Sequence, residues 1–239
     1  ELDFRVAEGF HLAAHEGDAG FVGVEDVVVV AGLAIGRNDL AAAARRPRAE
    51  RGAAGLSLRA VARELGMVSS AVYRYFPSRD DLLTALIVDA FDAVGAAGER
   101  TEGGGARTAT ARWIELATAV RSWALAHPQE YALIYGTPVP GYAAPTDTGD
   151  PAARSRLVVL RLLADGVASG EIAEGELLSV PGAVHRDLAA LRDVAAPGVP
   201  DAVLSRGLML WTHVLGAISY ELFGHLHGIV SDLDAFFDL

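Results

Sequence analysis

Residues 57 to 79 read SLRAVARELGMVSSAVYRYFPSR, and this stretch decides the fold. Its first half has helical periodicity from 58 to 65, with Ser57 placed for an N-cap and Gly66 as a stop. Its second half, from 69 to 76, is another short helical segment that ends before a proline. Two short helices joined by a tight turn around a glycine are typical of a helix-turn-helix.

In such a unit the second helix enters the major groove of DNA while the first crosses the backbone. Ser and Ala allow close approach to bases, Tyr hydroxyls donate to phosphates, and an Arg guanidinium binds phosphate or guanine. Arg79 adds a basic group beside free amides at the start of the next helix. The exposed face of the second helix is predicted to carry Ser69, Ser70, Ala71, Tyr73, Arg74 and Tyr75. The alternative from the pattern alone is an ordinary helical hairpin.

The charge distribution bears on this choice. The 239 residues carry a formal net charge of −11, which by itself argues against a polyanionic partner. Residues 37 to 79, however, contain nine Arg and three acidic residues, a net charge of +6. The remainder has 11 basic and 28 acidic residues, a net charge of −17. A basic segment on an acidic body predicts two functional regions, and it favours DNA binding by the first.

Composition excludes other classes of protein. The chain has no Cys, which excludes disulfides and thiolate chemistry. Its longest apolar run, from 27 to 35, is shorter than the roughly 20 residues that span a bilayer. The first residues also lack the basic stretch of a secretory signal. We therefore expect a soluble, cytoplasmic protein with no membrane partner.

The chain is predicted to be all-α beyond position 37, because nearly every segment there has helical periodicity punctuated by Gly and Pro. Residues 1–36 are predicted to be an extension of unclear structure, since the valine run from 27 to 30 is strand-like but no second strand pattern lies nearby. The glycine-rich loop from 95 to 107 separates a predicted helix-turn-helix domain, residues 37–95, from a helical body, residues 106–239.

The segment GLSLRAVARELG from Gly55, followed by VYRYFPSRDDLL from Val72, resembles the DNA-binding domain of TetR-family transcriptional regulators. The similarity covers about residues 49 to 91, and Tyr-x-x-Phe followed by Ser/Asn-Lys/Arg-x-x-Leu-Leu is that family's signature. The resemblance implies an all-α homodimer whose three-helix N-terminal domains bind a palindromic operator. It also implies a C-terminal helical domain that binds an effector and changes the spacing of the two DNA-binding domains. Pro47 departs from the family pattern and predicts a kinked or late-starting first helix.

Position within that motif implies the role of each residue at the DNA. The implied phosphate contacts are Ser57, Tyr73, Tyr75 and Arg79, and the implied base contacts are Ser69, Ser70, Ala71 and Arg74. Arg59 on the first helix completes the predicted interface.

Two C-terminal segments, HPQEYALIYGTPVPGY from His127 and WTHVLG from Trp211, resemble a TetR subgroup named for a Trp-His-Gly motif. From the residues themselves, aromatic side chains with polar tips could line a pocket for a small apolar effector with one or two hydrogen-bonding groups. The candidates are Trp113, Trp123, Tyr131, Tyr135 and His213. The alternative is that they are core residues of a helical bundle.

The last long helix has a heptad-like apolar seam, and the preceding helix has the same spacing. The seam residues are Leu204, Leu208, Trp211, Leu215, Ile218 and Leu222, with Val184, Leu188 and Leu191 on the preceding helix. Two such helices can pair within one chain, or they can pair with a symmetry mate in a four-helix interface. The resemblance favours the homodimer, and these nine residues are its predicted interface.

Together these features predict a ligand-responsive regulator, in the first instance a repressor, whose partners are double-stranded DNA, an effector and a second copy. We expect no enzymatic activity and no cofactor, because the sequence has no HExxH, no phosphate loop and no Cys. His225 and His227 lack a third ligand in view, so no metal site is predicted. The alternatives are an enzyme, or an interaction protein whose helix-turn-helix is only scaffold and whose DNA affinity does not depend on salt.

Overall fold

The computed structural model describes residues 27–30, 33–36, 57–64, 68–102, 107–145, 148–173 and 180–239. Within these ranges the regular elements are one β-hairpin followed by helices. The predicted first helix of the DNA-binding domain, with its kink at Pro47, lies outside the described residues.

The valine run is part of a β-hairpin. Val27–Val30 (β1) pairs antiparallel with Leu33–Gly36 (β2), with Val27 opposite Gly36 and Val30 opposite Leu33. The expectation that nothing nearby could pair with β1 was therefore wrong. The LAIG sequence of β2 has one β-branched residue, Ile35, together with Leu, Ala and Gly. Its strand propensity is therefore too weak to be recognised from the sequence.

The helix-turn-helix consists of Leu58–Glu64 (α1) and Ser69–Tyr73 (α2). α2 is shorter than the predicted segment, which extended to residue 76. The amides of Arg74 and Tyr75 bond to carbonyls three residues back, at 3.3 and 3.0 Å, which tightens the end of the helix; the Phe76 amide still bonds to the Val72 carbonyl four residues back at 3.0 Å. The nearby Pro77, which lacks an amide proton, prevents the helix from continuing.

The longest of the early helices, Arg79–Glu99 (α3), begins at a capping box. The Ser78 hydroxyl accepts from the Asp81 amide at 3.1 Å, and the Asp81 carboxylate accepts from the Ser78 amide at 2.9 Å. Such a cap stabilises a helix start by about 1 kcal/mol. α3 continues through Gly95, where the sequence analysis placed the start of a loop, so that boundary was wrong.

Six helices form the body of the molecule. They are Ala109–Ala126 (α4), Pro128–Tyr135 (α5), Gly149–Ala168 (α6), Gly182–Ala195 (α7), Asp201–Leu222 (α8) and Leu233–Phe237 (α9). Thr108 caps α4 by accepting from the Ala111 amide at 3.2 Å. α6 has Asp150 in its first turn, where an acidic side chain interacts favourably with the helix dipole.

α8 ends at Leu222. Gly224 has a φ of +77°, a left-handed conformation that ends helices. The His225 amide then donates to the Tyr220 carbonyl at 2.9 Å, which closes the helix end. The chain after this turn folds back as α9.

Two buried clusters organise these elements. The head core lies around the helix-turn-helix and consists of Leu58, Val61, Ala62, Ala71, Val72, Phe76, Leu82, Leu83, Leu86 and Ile87. The bundle core lies within the body, and its largest fully buried side chains are Leu116, Tyr131, Leu160, Leu204 and Ile218. α3 contributes to both, through Leu83 at one end and Val94 at the other.

α3 and α6 approach each other closely in the bundle. A Cβ on Gly95 would lie 2.6 Å from the Arg154 Cβ, so glycine is required at the crossing. Arg154 bonds Asp92 at 2.5 Å and Glu99 at 2.6 Å, which ties the two helices together. Hydrogen bonding from Arg154 lowers the pKa of Glu99. The body-side half of α3 is therefore fixed by packing and by charge.

Candidate nucleic-acid interface and regulatory domain

The head core determines which side of α2 faces outward. Val61 on α1, Val72 on α2 and Phe76 have no exposed surface, and they join the two helices to the start of α3. Full burial of each such side chain contributes about 1.5–3 kcal/mol. Together these contributions hold two short helices that would not be stable alone. On the opposite side of α2, Ser70 and Tyr73 are exposed in the part of the chain that the structure describes.

Most of the predicted DNA contacts lie at the surface. Ser70, Tyr73 and Arg74 are exposed, and 44% of the surface of Tyr73 is accessible to solvent. Arg59 on α1 is also exposed. The remaining partly exposed members of the predicted set are Ser57, Ser69, Tyr75 and Arg79. Tyr75 also packs against the head core, so its ring has a structural role as well.

Ala71 is an exception, because only 2% of it is exposed. It belongs to the head core, and the prediction that it lies on the outer face was wrong. Its small side chain fits the interior beside Val61 and Val72 and does not provide access to bases. A helix of five residues presents few outward positions, which the sequence pattern overestimated.

The outer surface of the helix-turn-helix is basic. Arg59, Arg63 and Arg74 are exposed and form no ion pair with another described residue. Arg79 contacts Asp80 at 3.5 Å on the surface. Guanidinium groups that are not neutralised by the protein are available for phosphate oxygens or a guanine edge. Of the nine arginines counted in the sequence, the four that the structure describes lie on this surface.

Among the effector candidates, Tyr131 is fully buried and its hydroxyl is already bonded. It donates to the Leu215 carbonyl at 2.7 Å and lies 3.0 Å from the Ser219 hydroxyl. Burial raises the pKa of Tyr131 to about 12. Its ring packs 5.0 Å from that of Tyr135, between centroids. The core interpretation therefore describes Tyr131 better than a ligand contact does.

Trp123 differs, because it is 7% exposed and its indole Nε1 has no hydrogen-bond partner among the described residues. Its ring stacks on His127 at 5.6 Å. Tyr135 is half-buried against Phe91, and burial raises its pKa. Trp113 is half-buried against the bundle core. A buried N–H without an acceptor costs about 1–3 kcal/mol. A ligand with an acceptor group beside Trp123 would remove this cost, so Trp123 is the best supported of the candidates.

His213 lies apart from the other four candidates. It is exposed on α8, with its Nδ1 2.9 Å from the Met209 carbonyl, whereas Trp123, Tyr131 and Tyr135 line the interior of the bundle. The structure therefore does not bring the five predicted residues into one site.

The predicted dimer interface is mostly the core of a single chain. Leu204 and Ile218 have no exposed surface, and Trp211 and Leu188 are 6% exposed, all within the bundle core. The other seam residues that pack half-buried on the same core are Leu191, Leu208, Leu215 and Leu222. Only Val184, 41% exposed, is open among the predicted nine. The four buried members have no surface left for a partner, so the prediction that all nine residues form a subunit interface was wrong.

The opposite face of α8 is open. Met209, His213, Gly216 and Tyr220 recur on it at 4-3-4 spacing, and Met209 is 62% and Tyr220 57% exposed. We call these four residues the outer stripe. A groove of about 400 Å³ lies along it, walled on one side by Phe236 of α9. Sequence reasoning missed the outer stripe because its His and Gly make it less apolar than the buried seam.

By length and composition, α8 is the one helix among the described residues that could cross a membrane. Of its most apolar 18-residue segment, 28% is buried. Its inner side is the bundle core, and Glu221 near its end is ion-paired with Arg121. These contacts identify α8 as a bundle helix with one apolar face left open.

Comparison with known proteins agrees with this architecture. Residues 40–86 match the model of bacterial regulatory proteins of the tetR family, and residues 113–239 match that of the tetracyclin repressor-like C-terminal domain. The HTH-type transcriptional regulators Rv1816 of Mycobacterium tuberculosis and Mb1846 of Mycobacterium bovis are each 44% identical over 186 residues, which cover 75% of this chain and 77% of theirs.

Two solved structures are also similar. The regulatory protein candidate SCO4313 is 36% identical with a TM-score of 0.68. A protein of unknown function from Rhodococcus sp. RHA1 is 29% identical with a TM-score of 0.62. Each alignment covers 84% of this chain and 91% of the other.

Proposed function

Because this chain belongs to the TetR family of bacterial transcriptional regulators, we propose that it binds a palindromic operator as a homodimer and that a small molecule releases it. The observation that carries the proposal is the set of exposed arginines on a helix-turn-helix, Arg59, Arg63 and Arg74, which form no ion pair with another residue that the structure describes. A dimer bound to an operator blocks access to the promoter, so we propose repression. Its place of action is the cytoplasm, where the DNA lies.

Arg74 and Arg59 are expected to have different roles in DNA binding. Arg74 directly follows the last residue of α2 and is exposed. Because the second helix of such a unit enters the major groove, Arg74 is proposed to contact a base. Arg59 on α1 is proposed to contact a phosphate, because the first helix crosses the backbone. Ser70 and Tyr73 lie between them in the chain and are exposed for the same surface.

Arg74→Ala is expected to weaken specific operator binding by about 10- to 100-fold, because a bidentate contact to guanine contributes about 1–3 kcal/mol of discrimination. Arg59→Ala is expected to weaken binding to all DNA sequences alike. It should also reduce the slope of log K against the logarithm of the salt concentration by about one. Fluorescence anisotropy with an operator selected from random DNA measures both. Arg156→Ala, an equal loss of charge on the exposed side of α6, serves as the control. Unchanged affinity in both head variants would remove DNA binding from this surface.

The proposed dimer interface is the outer stripe of α8. Met209 and Tyr220 present apolar surface to solvent, and Gly216 has no heavy atom within 4 Å of the position of a Cβ. A glycine in the middle of an apolar helix face allows a second helix to approach closely. Two-fold symmetry would place the same stripe of the partner against it, as in an isologous interface.

The proposed effector binds beside Trp123 in the bundle. It would be largely apolar, because the surroundings are, and it would carry an acceptor for the unpartnered indole N–H. An effector that binds the DNA-free form more tightly lowers operator affinity by its differential affinity, typically 1–3 kcal/mol. This linkage makes binding and release reciprocal.

Trp123→Phe is expected to raise the effector concentration needed for half-release by about 5- to 10-fold, because the proposed hydrogen bond contributes about 1 kcal/mol. A small-molecule library screened for release of a fluorescent operator supplies the compound. Trp211→Phe, the same substitution at another core position of the bundle, is the matched control. Equal shifts in the two variants would point to general loosening of the bundle and against a contact at Trp123.

A further inference from the structure

The segment from Tyr131 to Tyr142 connects α8 to the head core by a route that does not pass through α3. It comprises the second half of α5 and the loop that follows. At its first end, the Tyr131 hydroxyl donates to the Leu215 carbonyl of α8 at 2.7 Å. This end is rigid, because Tyr131 has no exposed surface and lies in the bundle core.

At the other end the loop rests on the head core. Val139 and Tyr142 pack against the head core, although both come from the body of the chain. A hydrogen bond of 2.9 Å joins the Tyr142 hydroxyl to that of Thr84 on α3. Thr84 is next to Leu83 of the head core, so the bond reaches the half of α3 that packs against the helix-turn-helix.

The middle of the segment is built to hold this course. Ile134 packs against both cores. At Gly136 the chain leaves α5 so tightly that a Cβ would lie 2.3 Å from the Ala132 carbonyl oxygen. Only glycine allows that turn without moving the backbone. The segment is thus anchored at both ends and fixed in its direction between them.

We propose that residues 131–142 are a second link that sets the orientation of the helix-turn-helix relative to α8, and that Tyr142 is a positioning residue for operator spacing. A unit attached through α3 alone can twist about the axis of that helix, whereas a bond to a side chain that projects from the axis, as Thr84 does, opposes the twist. Two half-sites of a palindrome are read together only when both units keep a fixed separation, about one helical turn of DNA or a multiple of it. This inference rests on the proposed dimer and operator.

Tyr142→Phe is expected to lower affinity for the palindrome by about three- to tenfold, the range for loss of one hydrogen bond, while affinity for a single half-site stays unchanged. The variant should also discriminate less between the palindrome and versions lengthened by one or two base pairs. Anisotropy titrations of the full chain on this DNA series measure both quantities. Thermal unfolding shows that the variant is folded.

Thr84 provides the matched controls, because it holds the other end of the bond. Thr84→Val is expected to reproduce the effect, and the double variant with Tyr142→Phe should lose no more than either single variant. Thr84→Ser keeps the hydroxyl and should bind like the unchanged protein. An unchanged palindrome affinity in Tyr142→Phe, or an equal loss on the half-site, overturns the inference. If the unchanged protein itself does not prefer the palindrome to the half-site, the proposed operator mode fails instead.

Discussion

Met209→Glu is expected to convert the dimer into monomers and to lower operator affinity by roughly 10²- to 10⁴-fold. Met209 is 62% exposed in the single chain, so the substitution should not disturb the fold. In the proposed dimer it faces the partner, and a buried, unpaired carboxylate there costs several kcal/mol in each subunit. Loss of the second half-site contact then removes the gain from bivalent binding. Sedimentation equilibrium and anisotropy measure the two effects.

Ile114→Glu is the control for this experiment. Ile114 is 57% exposed on α4, away from the outer stripe, and receives the same apolar-to-acidic change. It should remain dimeric and bind the operator normally. A Met209→Glu protein that stays dimeric at micromolar concentration would show that another surface joins the subunits.

Arg121→Met is expected to lower the free energy of unfolding by about 3–5 kcal/mol. The Arg121 guanidinium donates two hydrogen bonds of 2.8 Å to Glu221 of α8 and one of 2.7 Å to Asp234 of α9. These bonds raise the pKa of Arg121 above its usual value. The Glu221 side chain is only 9% exposed, so removal of its partner leaves a buried carboxylate unpaired. Urea unfolding followed by circular dichroism measures the loss.

The partners of Arg121 separate the causes. Arg121→Met combined with Glu221→Leu should recover much of the stability, because it removes the stranded charge. Asp234→Asn should change stability little, since that side chain is 85% exposed. A small effect of Arg121→Met alone would mean that water reaches Glu221 once the arginine is gone.

The helix-turn-helix and its capping box were predictable from sequence because their signals are local. Ser78 and Asp81 are three residues apart, and the turn residues lie within a single short motif. The bonds between Arg121 and Glu221, and between Thr84 and Tyr142, join residues 100 and 58 positions apart. No periodicity or spacing in the sequence encodes such pairs.

The two faces of α8 illustrate a different limit. The spacing from Leu204 to Leu222 correctly identified an apolar seam, but spacing does not specify whether the partner helix belongs to the same chain. Burial decides the question, because Leu204 and Ile218 have no surface left for another subunit. Ala71 was misassigned for a related reason, since a small side chain suits both a crowded interior and a close approach to DNA.

The contribution of α3 to both cores limits how this protein can be recombined with its relatives. Its first half completes the head core, and its second half crosses α6 at Gly95, where Arg154 leaves no room for a side chain. A DNA-binding unit exchanged at the end of the helix-turn-helix would be separated from half of its own interior. A chimera therefore has to carry α3 whole, together with the α6 surface and the Tyr142 loop that match it. The two regions that the charge distribution separates in the sequence are therefore joined by shared packing in the structure.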